Sequence, residues 1–299
     1  EVYEVIQMEK DFPLETLVSQ FRKDIEQFQF EQSQALCESY SEKAFELYNR
    51  LITPIENFDL PENLIIIPSG ILNFLPFDAL LKTPAVHLCN FKTYDYLINH
   101  HNIVYNYSAT LWSELNARKT SRACENFIGF APFFAENNSS GFGELKYNIP
   151  TLKAIKNLIG GDIFTDKDGN RIQFEELVED YKIIHFATHA KANSNEGDFS
   201  FIVLSKGEGS YDSLFVKDIY HRQLLADLVF LGACETGVGT LHTGEGIISL
   251  ARSFLYAGAN SVITTLWSVN AQITKDITLD FYENLKDGNP KNDALRNAK

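Results

Sequence analysis

The stretch Leu228-Val229-Phe230-Leu231-Gly232-Ala233-Cys234 begins as an apolar run and delivers a cysteine just past its end. A structural thiol behaves as a small hydrophobe and belongs inside such a run. At the end of one, the thiol reads as a nucleophile, a metal ligand or a chance placement. Forty-five residues earlier a second apolar run, Lys182-Ile183-Ile184-His185-Phe186-Ala187-Thr188, leads into His189 in the same way. A cysteine nucleophile needs a neighbouring imidazole, because the thiolate attacks and a free thiol is mostly protonated at neutral pH. The imidazole can then protonate the leaving amine. The backbone N–H groups of Cys234 and Ala190 are candidates to bind a developing oxyanion. The small residues Gly232, Ala233 and Gly237 would let a substrate backbone approach closely. His185 lies within its run, between Ile184 and Phe186, and is expected to be a hydrogen-bonded core residue. His87, His100, His101, His221 and His242 fall in loops or helix flanks and read as solvated. On spacing alone, a Cys234–His189 dyad and two coincidental positions both stand.

The elements that must hold these residues can be read from periodicity. Residues from about 14 to 51 are helical in pattern, with Phe21, Ile25 and Phe28, then Ala44, Leu47 and Leu51, at helical spacings. Leu64–Ile67 reads as a strand closed by Pro68-Ser69-Gly70. From Phe127 onward strands and helices alternate: NFIGFA, a helix over 149–159 ending at Gly160-Gly161, YKIIHFATHA, FSFIVLS and LVFLGAC. A helix over 245–257 stopped by Gly258, the strand NSVITTLW, and a helix closing on Gly288 complete the series. Near-continuous apolar strands interleaved with helices predict an α/β fold, a mostly parallel sheet covered by helices. The site of such a sheet lies at the carboxyl ends of its strands. The polar stretch NARKTSRACEN suggests a boundary, with a helical and α/β lead-in over residues 1–119 and a core over 120–299.

Bulk properties exclude several classes. A chain of 299 residues with 44% hydrophobic and 22% charged residues is a globular protein with ample core. No apolar run approaches the roughly 20 residues that span a bilayer. A net charge of −14 argues against direct nucleic-acid binding, which needs a basic face. Cys37, Cys89, Cys124 and Cys234 show no paired spacing, which argues against a disulfide scaffold or zinc ribbon and suits a reducing compartment. The glycine-rich stretch 237–246 has His242 where a dinucleotide fingerprint wants its third glycine, and phosphate-loop, His-Glu-x-x-His and Gly-x-Ser-x-Gly patterns are missing. Asn106-Tyr107-Ser108 and Asn138-Ser139-Ser140 match the glycosylation triplet, a pattern common by chance. The chain starts at Glu1 without a methionine and ends in the helix-like DALRNAK, so a fragment of a longer protein is expected.

In order along the chain, IIHFATHA, ADLVFLGACETGVG, GEGIISLARSFLYAGANSVITTLWSVN and FYENL resemble the CHAT domain, a caspase-like cysteine peptidase module. LIIIPSGILNFLPFDALL resembles its amino-terminal, pseudo-catalytic half, so that the likeness covers roughly residues 60–299. The resemblance implies a fold shared with caspases and separases, with His189 as general acid/base and Cys234 as nucleophile. A histidine about 50 residues before the cysteine agrees with caspase spacing. It further implies a cytoplasmic peptidase with a protein substrate and no metal or organic cofactor. A regulatory partner or fused tetratricopeptide-like repeats would accompany it, and antiviral defence of bacteria is among the implied roles. Gly232, Glu235, Asp198 and Trp267 are the expected substrate-binding residues. Ala190 stands where the family usually has glycine, Gly232 where serine is frequent, and Asn270 where aspartate is frequent. A catalytically silent interaction module, and an acyl or peptide transferase using the same dyad, are the alternatives.

Overall fold

The computed structural model describes residues 3–7, 12–118, 123–134, 142–191, 193, 197–207, 210–232, 243–267 and 269–299, with the backbone alone over 243–249. The chain divides into two compact units, Glu1–Ser113 and Glu114–Lys299.

In the first unit the helical stretch forms two helices, α1 (Leu14–Gln27) and α2 (Gln34–Leu51), because Ser33 starts a new one. The Ser33 hydroxyl accepts from the Leu36 N–H at 3.2 Å, satisfying an otherwise orphaned helix donor. Val18 and Phe21 of α1 meet Tyr40, Ala44, Leu47 and Tyr48 of α2 in one apolar core, with Phe21 stacked on Tyr40 at 5.3 Å. A short helix α3 (Thr53–Glu56), strand β1 (Asn63–Ile66), helix α4 (Leu97–His100) and strand β2 (Asn102–Tyr105) come next. Strands β1 and β2 pair in parallel. A disulfide joins Cys37 of α2 to Cys89. This corrects the expectation that no cysteines pair: the two are 52 positions apart and the chain between them folds back on itself, which linear spacing does not reveal. The sequence argument for a reducing compartment falls with it. The Asn106 triplet is a local turn, since Asn106 is buried and its Oδ1 accepts from the Tyr107 N–H at 2.8 Å; Asn138 lies outside the described residues. Helix α5 (Ala109–Ala117) carries the chain across the boundary of the two units.

The second unit runs β3 (Glu125–Ala131), α6 (Asn148–Ile159), β4 (Asp162–Thr165), α7 (Arg171–Leu177), β5 (Tyr181–Phe186), β6 (Ala190–Lys191), β7 (Phe201–Gly207) and β8 (Ser210–Phe215). It continues through α8 (Val216–Ile219), β9 (Leu228–Leu231), α9 (Thr243–Tyr256), β10 (Val262–Thr264), α10 (Ala271–Lys286) and α11 (Lys291–Ala298). Five strands form a wholly parallel sheet in the order β4-β3-β5-β9-β10. On one face Phe130, Ile184, Phe186, Val229 and Leu231 pack with Phe174 of α7 and Phe254 of α9. On the other, Phe127, Leu228 and Phe230 pack with Leu152 of α6, Phe281 and Tyr282 of α10, and Ala294 of α11. Both faces are therefore covered, which explains why the strands read as continuous apolar runs.

FSFIVLS departs from the parallel expectation. It is β7, the centre of a separate antiparallel sheet β6-β7-β8. The reason is connection length. Nine residues separate β6 from β7 and two separate β7 from β8, whereas a parallel crossover needs a dozen or more. The turn that joins β7 to β8 begins at Gly207, with φ +88°, a conformation glycine adopts without strain.

Candidate active site

The order β4-β3-β5-β9-β10 has its topological switch between β3 and β5, where connections leave in opposite directions, and sheets of this kind bind ligands beyond the carboxyl ends at that point. Residues just past those two ends meet there. Phe134, beyond β3, lies edge-on to His189, beyond β5, with ring centroids 4.5 Å apart. Phe142 stacks on the same imidazole at 5.3 Å, and Tyr211 of β8 stacks on Phe134 at 4.7 Å. His189 is only 1% exposed within this aromatic surround. Its Nε2 stands 2.7 Å from the Gly143 carbonyl oxygen. A carbonyl only accepts, so Nε2 carries the hydrogen, and Nδ1 is the ring position that can take up a proton. Phe134, Phe142, Gly143 and Tyr211 escaped the sequence reading. The available signal was the pair Phe133-Phe134 just past the end of β3, in the place that Thr188-His189 occupy past the end of β5.

Strands β5 and β9 are adjacent and parallel, with Ile184 opposite Val229, His185 opposite Phe230 and Phe186 opposite Leu231. His189 and Cys234 each come three residues after the last of these rungs. Cys234, Glu235, Ala233, Gly237 and His242 lie outside the described residues. Gly232 is described, and a Cβ there would stand 3.1 Å from the Phe186 carbonyl oxygen and 3.3 Å from the His185 Nε2. A serine at this position would crowd both groups.

Ala190 pairs with Ile202 while the His189 carbonyl accepts from the Val203 N–H at 2.8 Å. That pattern makes Ala190–Ile202 a non-hydrogen-bonded pair, so the Ala190 N–H points away from β7. The Thr188 hydroxyl donates to the Val203 carbonyl at 2.6 Å and fixes the same turn. Asp198 is exposed in the 3-10 turn Gly197–Phe199, where its charge helps hold the Tyr220 hydroxyl above its ordinary pKa, after burial as the larger cause. Trp267 is half-buried just past β10. Asn270 caps α10, its Oδ1 accepting from the Gln272 and Ile273 N–H groups at 2.9 and 3.2 Å, a task aspartate performs equally well.

His185 is the buried histidine that the sequence placed in the core. It stacks on Phe230 at 4.6 Å with planes 4° apart, and its Nδ1 meets the Tyr282 hydroxyl at 3.0 Å. Burial pushes its pKa down to about 3, so the ring is neutral at physiological pH. Among the described residues no cluster of three or more His, Cys, Asp or Glu side chains is gathered to hold a metal ion. No described helix is long and apolar enough to cross a membrane.

The profile of the CHAT domain matches residues 41–299, most of the chain. The chain belongs to the CHAT domain family. CHAT domains are a caspase-like peptidase family, and a helix-flanked parallel sheet is the fold expected of them. The match begins within α2, earlier than residue 60, and so takes in β1 and β2 of the first unit. Over 85 residues the chain is 35% identical to Tetratricopeptide repeat protein 28 of Homo sapiens. That stretch is 28% of this chain and 3% of the human protein, so the chain spans a small part of that relative's length.

Proposed function

We propose that this CHAT domain is a cysteine endopeptidase in which Cys234 is the nucleophile and His189 the general acid and base. The observation that carries the reading is the β5–β9 register, which gives both residues the same three-residue step past neighbouring parallel strand ends. His189 Nδ1 takes the proton of the Cys234 thiol, and the thiolate attacks the scissile carbonyl carbon. The carbonyl oxygen becomes an oxyanion held by backbone N–H groups, of which Ala190's, turned away from its sheet partner, is one. The tetrahedral intermediate collapses with loss of the amine, which leaves with the proton from His189. A water that His189 deprotonates then hydrolyses the thioester and restores the thiol. The Gly143 carbonyl holds the imidazole in the tautomer this sequence of steps needs. Gly232, Glu235, Asp198 and Trp267 are proposed to contact the substrate. The wider setting rests on family resemblance: a protein substrate, a regulatory helical-repeat partner, a cytoplasmic site and a part in bacterial defence. The repeat-bearing human relative is in keeping with such a partner.

The burial of His189 favours a second reading, a CHAT domain that binds partners and does not cleave, or does so only once opened. One experiment separates them. The protein is treated with iodoacetamide between about pH 6 and 7.5, below the free-thiol pKa, and each cysteine is followed by peptide mass. Fast alkylation confined to Cys234 and lost in His189→Ala supports the peptidase. Uniformly slow alkylation, indifferent to His189→Ala, sinks it for this state and leaves the binding module.

A further inference from the structure

The mechanism gives no task to His185, a buried ionisable group of the sheet core. His185 sits on β5 beneath the chain leaving β9, and three elements converge on it. Phe230, its cross-strand neighbour on β9, stacks on one face of the ring. Tyr282 of α10 fixes Nδ1 through its hydroxyl. Nε2, the opposite end of the ring, faces Gly232, the first residue after β9, at a distance that would crowd even a methyl group. A leucine or phenylalanine at 185 would fill the same apolar face without a buried polar ring that demands a partner. The chain nevertheless places an imidazole there, against the backbone two residues before Cys234.

We infer that His185 is a positioning residue: held by Tyr282, its imidazole sets the path of the chain at Gly232, two residues before the proposed nucleophile Cys234. Gly232 is the other half of the device, since a side chain there would meet the His185 ring and the Phe186 carbonyl together. The inference rests on the peptidase reading and adds a second histidine to it, one that never touches substrate.

The test is the pH profile of iodoacetamide alkylation at Cys234, read by peptide mass on the full chain, with the exposed free Cys124 as the internal comparison. The variants are His185→Phe, Gly232→Ala and Tyr282→Phe. The last deletes one oxygen and keeps the ring packing, so it remains informative if either of the others fails to fold. The inference expects wild-type Cys234 to react with an apparent pKa well below the free-thiol value of about 8.5. His185→Phe and Gly232→Ala should slow the reaction at pH 6.5 at least tenfold and return the profile towards the free thiol. Tyr282→Phe should slow it severalfold in a protein that still melts cooperatively, at a somewhat lower temperature because the buried His185 Nδ1 loses its partner. If Cys234 reacts fast and Tyr282→Phe and the folded variants keep the wild-type profile, the positioning role is overturned while the dyad stands. If wild-type Cys234 reacts no faster than Cys124, the dyad reading itself fails and takes this inference with it.

Discussion

Reduction of the Cys37–Cys89 bond should loosen the first unit selectively. The bond closes a loop of 52 residues that includes most of α2, β1 and the turns packed on them. Loop-closure entropy for that length gives about 4 kcal/mol at 25 °C, and measured disulfides typically deliver about 2–4 kcal/mol. Other contacts hold the two ends as well, which favours the lower part of the range. Cys37 is wholly buried on α2 among Tyr40 and its neighbours, and the Cys89 N–H donates to the Tyr94 hydroxyl at 3.2 Å. Cys89 also adopts φ +63°, in the left-handed region that a β-carbon disfavours, and the cross-link helps keep it there. For a domain of this size 1 kcal/mol moves the melting temperature by about 4 °C or more, so reduction should lower the transition of the first unit by on the order of 10 °C. Calorimetry of the full chain with and without a phosphine reductant measures the shift. Hydrogen exchange of peptides from α1 and α2 shows whether it belongs to the first unit. Cys89→Ser should reproduce the shift and become insensitive to the reductant. Free thiols at both positions in protein purified without reductant, or a melting curve that the reductant leaves alone, would refute the cross-link as a stabilising element.

Other expectations are as concrete. His185 has a folded pKa near 3 against an ordinary value near 6.5; the unfolded chain therefore binds the extra proton first as pH falls. Its contribution to stability is complete above about pH 6.5 and is lost towards pH 3, by at most about 1.4 kcal/mol per pH unit. Urea unfolding at pH 7 and 5 should show a loss of on the order of 2 kcal/mol that His185→Phe lacks; equal losses in both proteins would contradict it. Gly160 and Gly161 both have positive φ, but a Cβ at Gly161 would stand 2.3 Å from the Phe127 carbonyl oxygen while at Gly160 it meets open space. Gly160→Ala should thus cost about 1 kcal/mol and Gly161→Ala severalfold more, with the order of the two melting temperatures as the check. Asn270→Ala should remove the cap of α10 and cost about 1 kcal/mol, whereas Asn270→Asp should hold wild-type stability in the same denaturation assay.

Much of this architecture is legible along the chain because long periodic segments report their own burial. The runs around Ile184 and Val229 are almost continuously apolar since both sheet faces are covered, and the alternation with helices then implies a parallel sheet. The flanks of His185, Ile184 and Phe186, mark it as a core residue, and it is one. The illegible part is whatever depends on folding back. Cys37 and Cys89 carry no local sign of each other, and the antiparallel β7 looks like its parallel neighbours because apolar content reports burial and says nothing of direction. The aromatic surround of His189 is assembled from the exits of β3 and β5 together with β8, three segments whose meeting is a property of topology. Spacing suggests His189; only the register of β5 against β9 gives that spacing a common origin.

The strand order also has a consequence for how the protein is made. Strand β3 leaves the ribosome before its eventual neighbour β5, and β5 stands at an open edge until β9 arrives some forty residues later. The ring of His185 is not pinned until Tyr282 of α10 has been synthesised and docked. The order of synthesis therefore leaves the closing of this part of the core to α10, whose Tyr282 follows His185 by 97 residues.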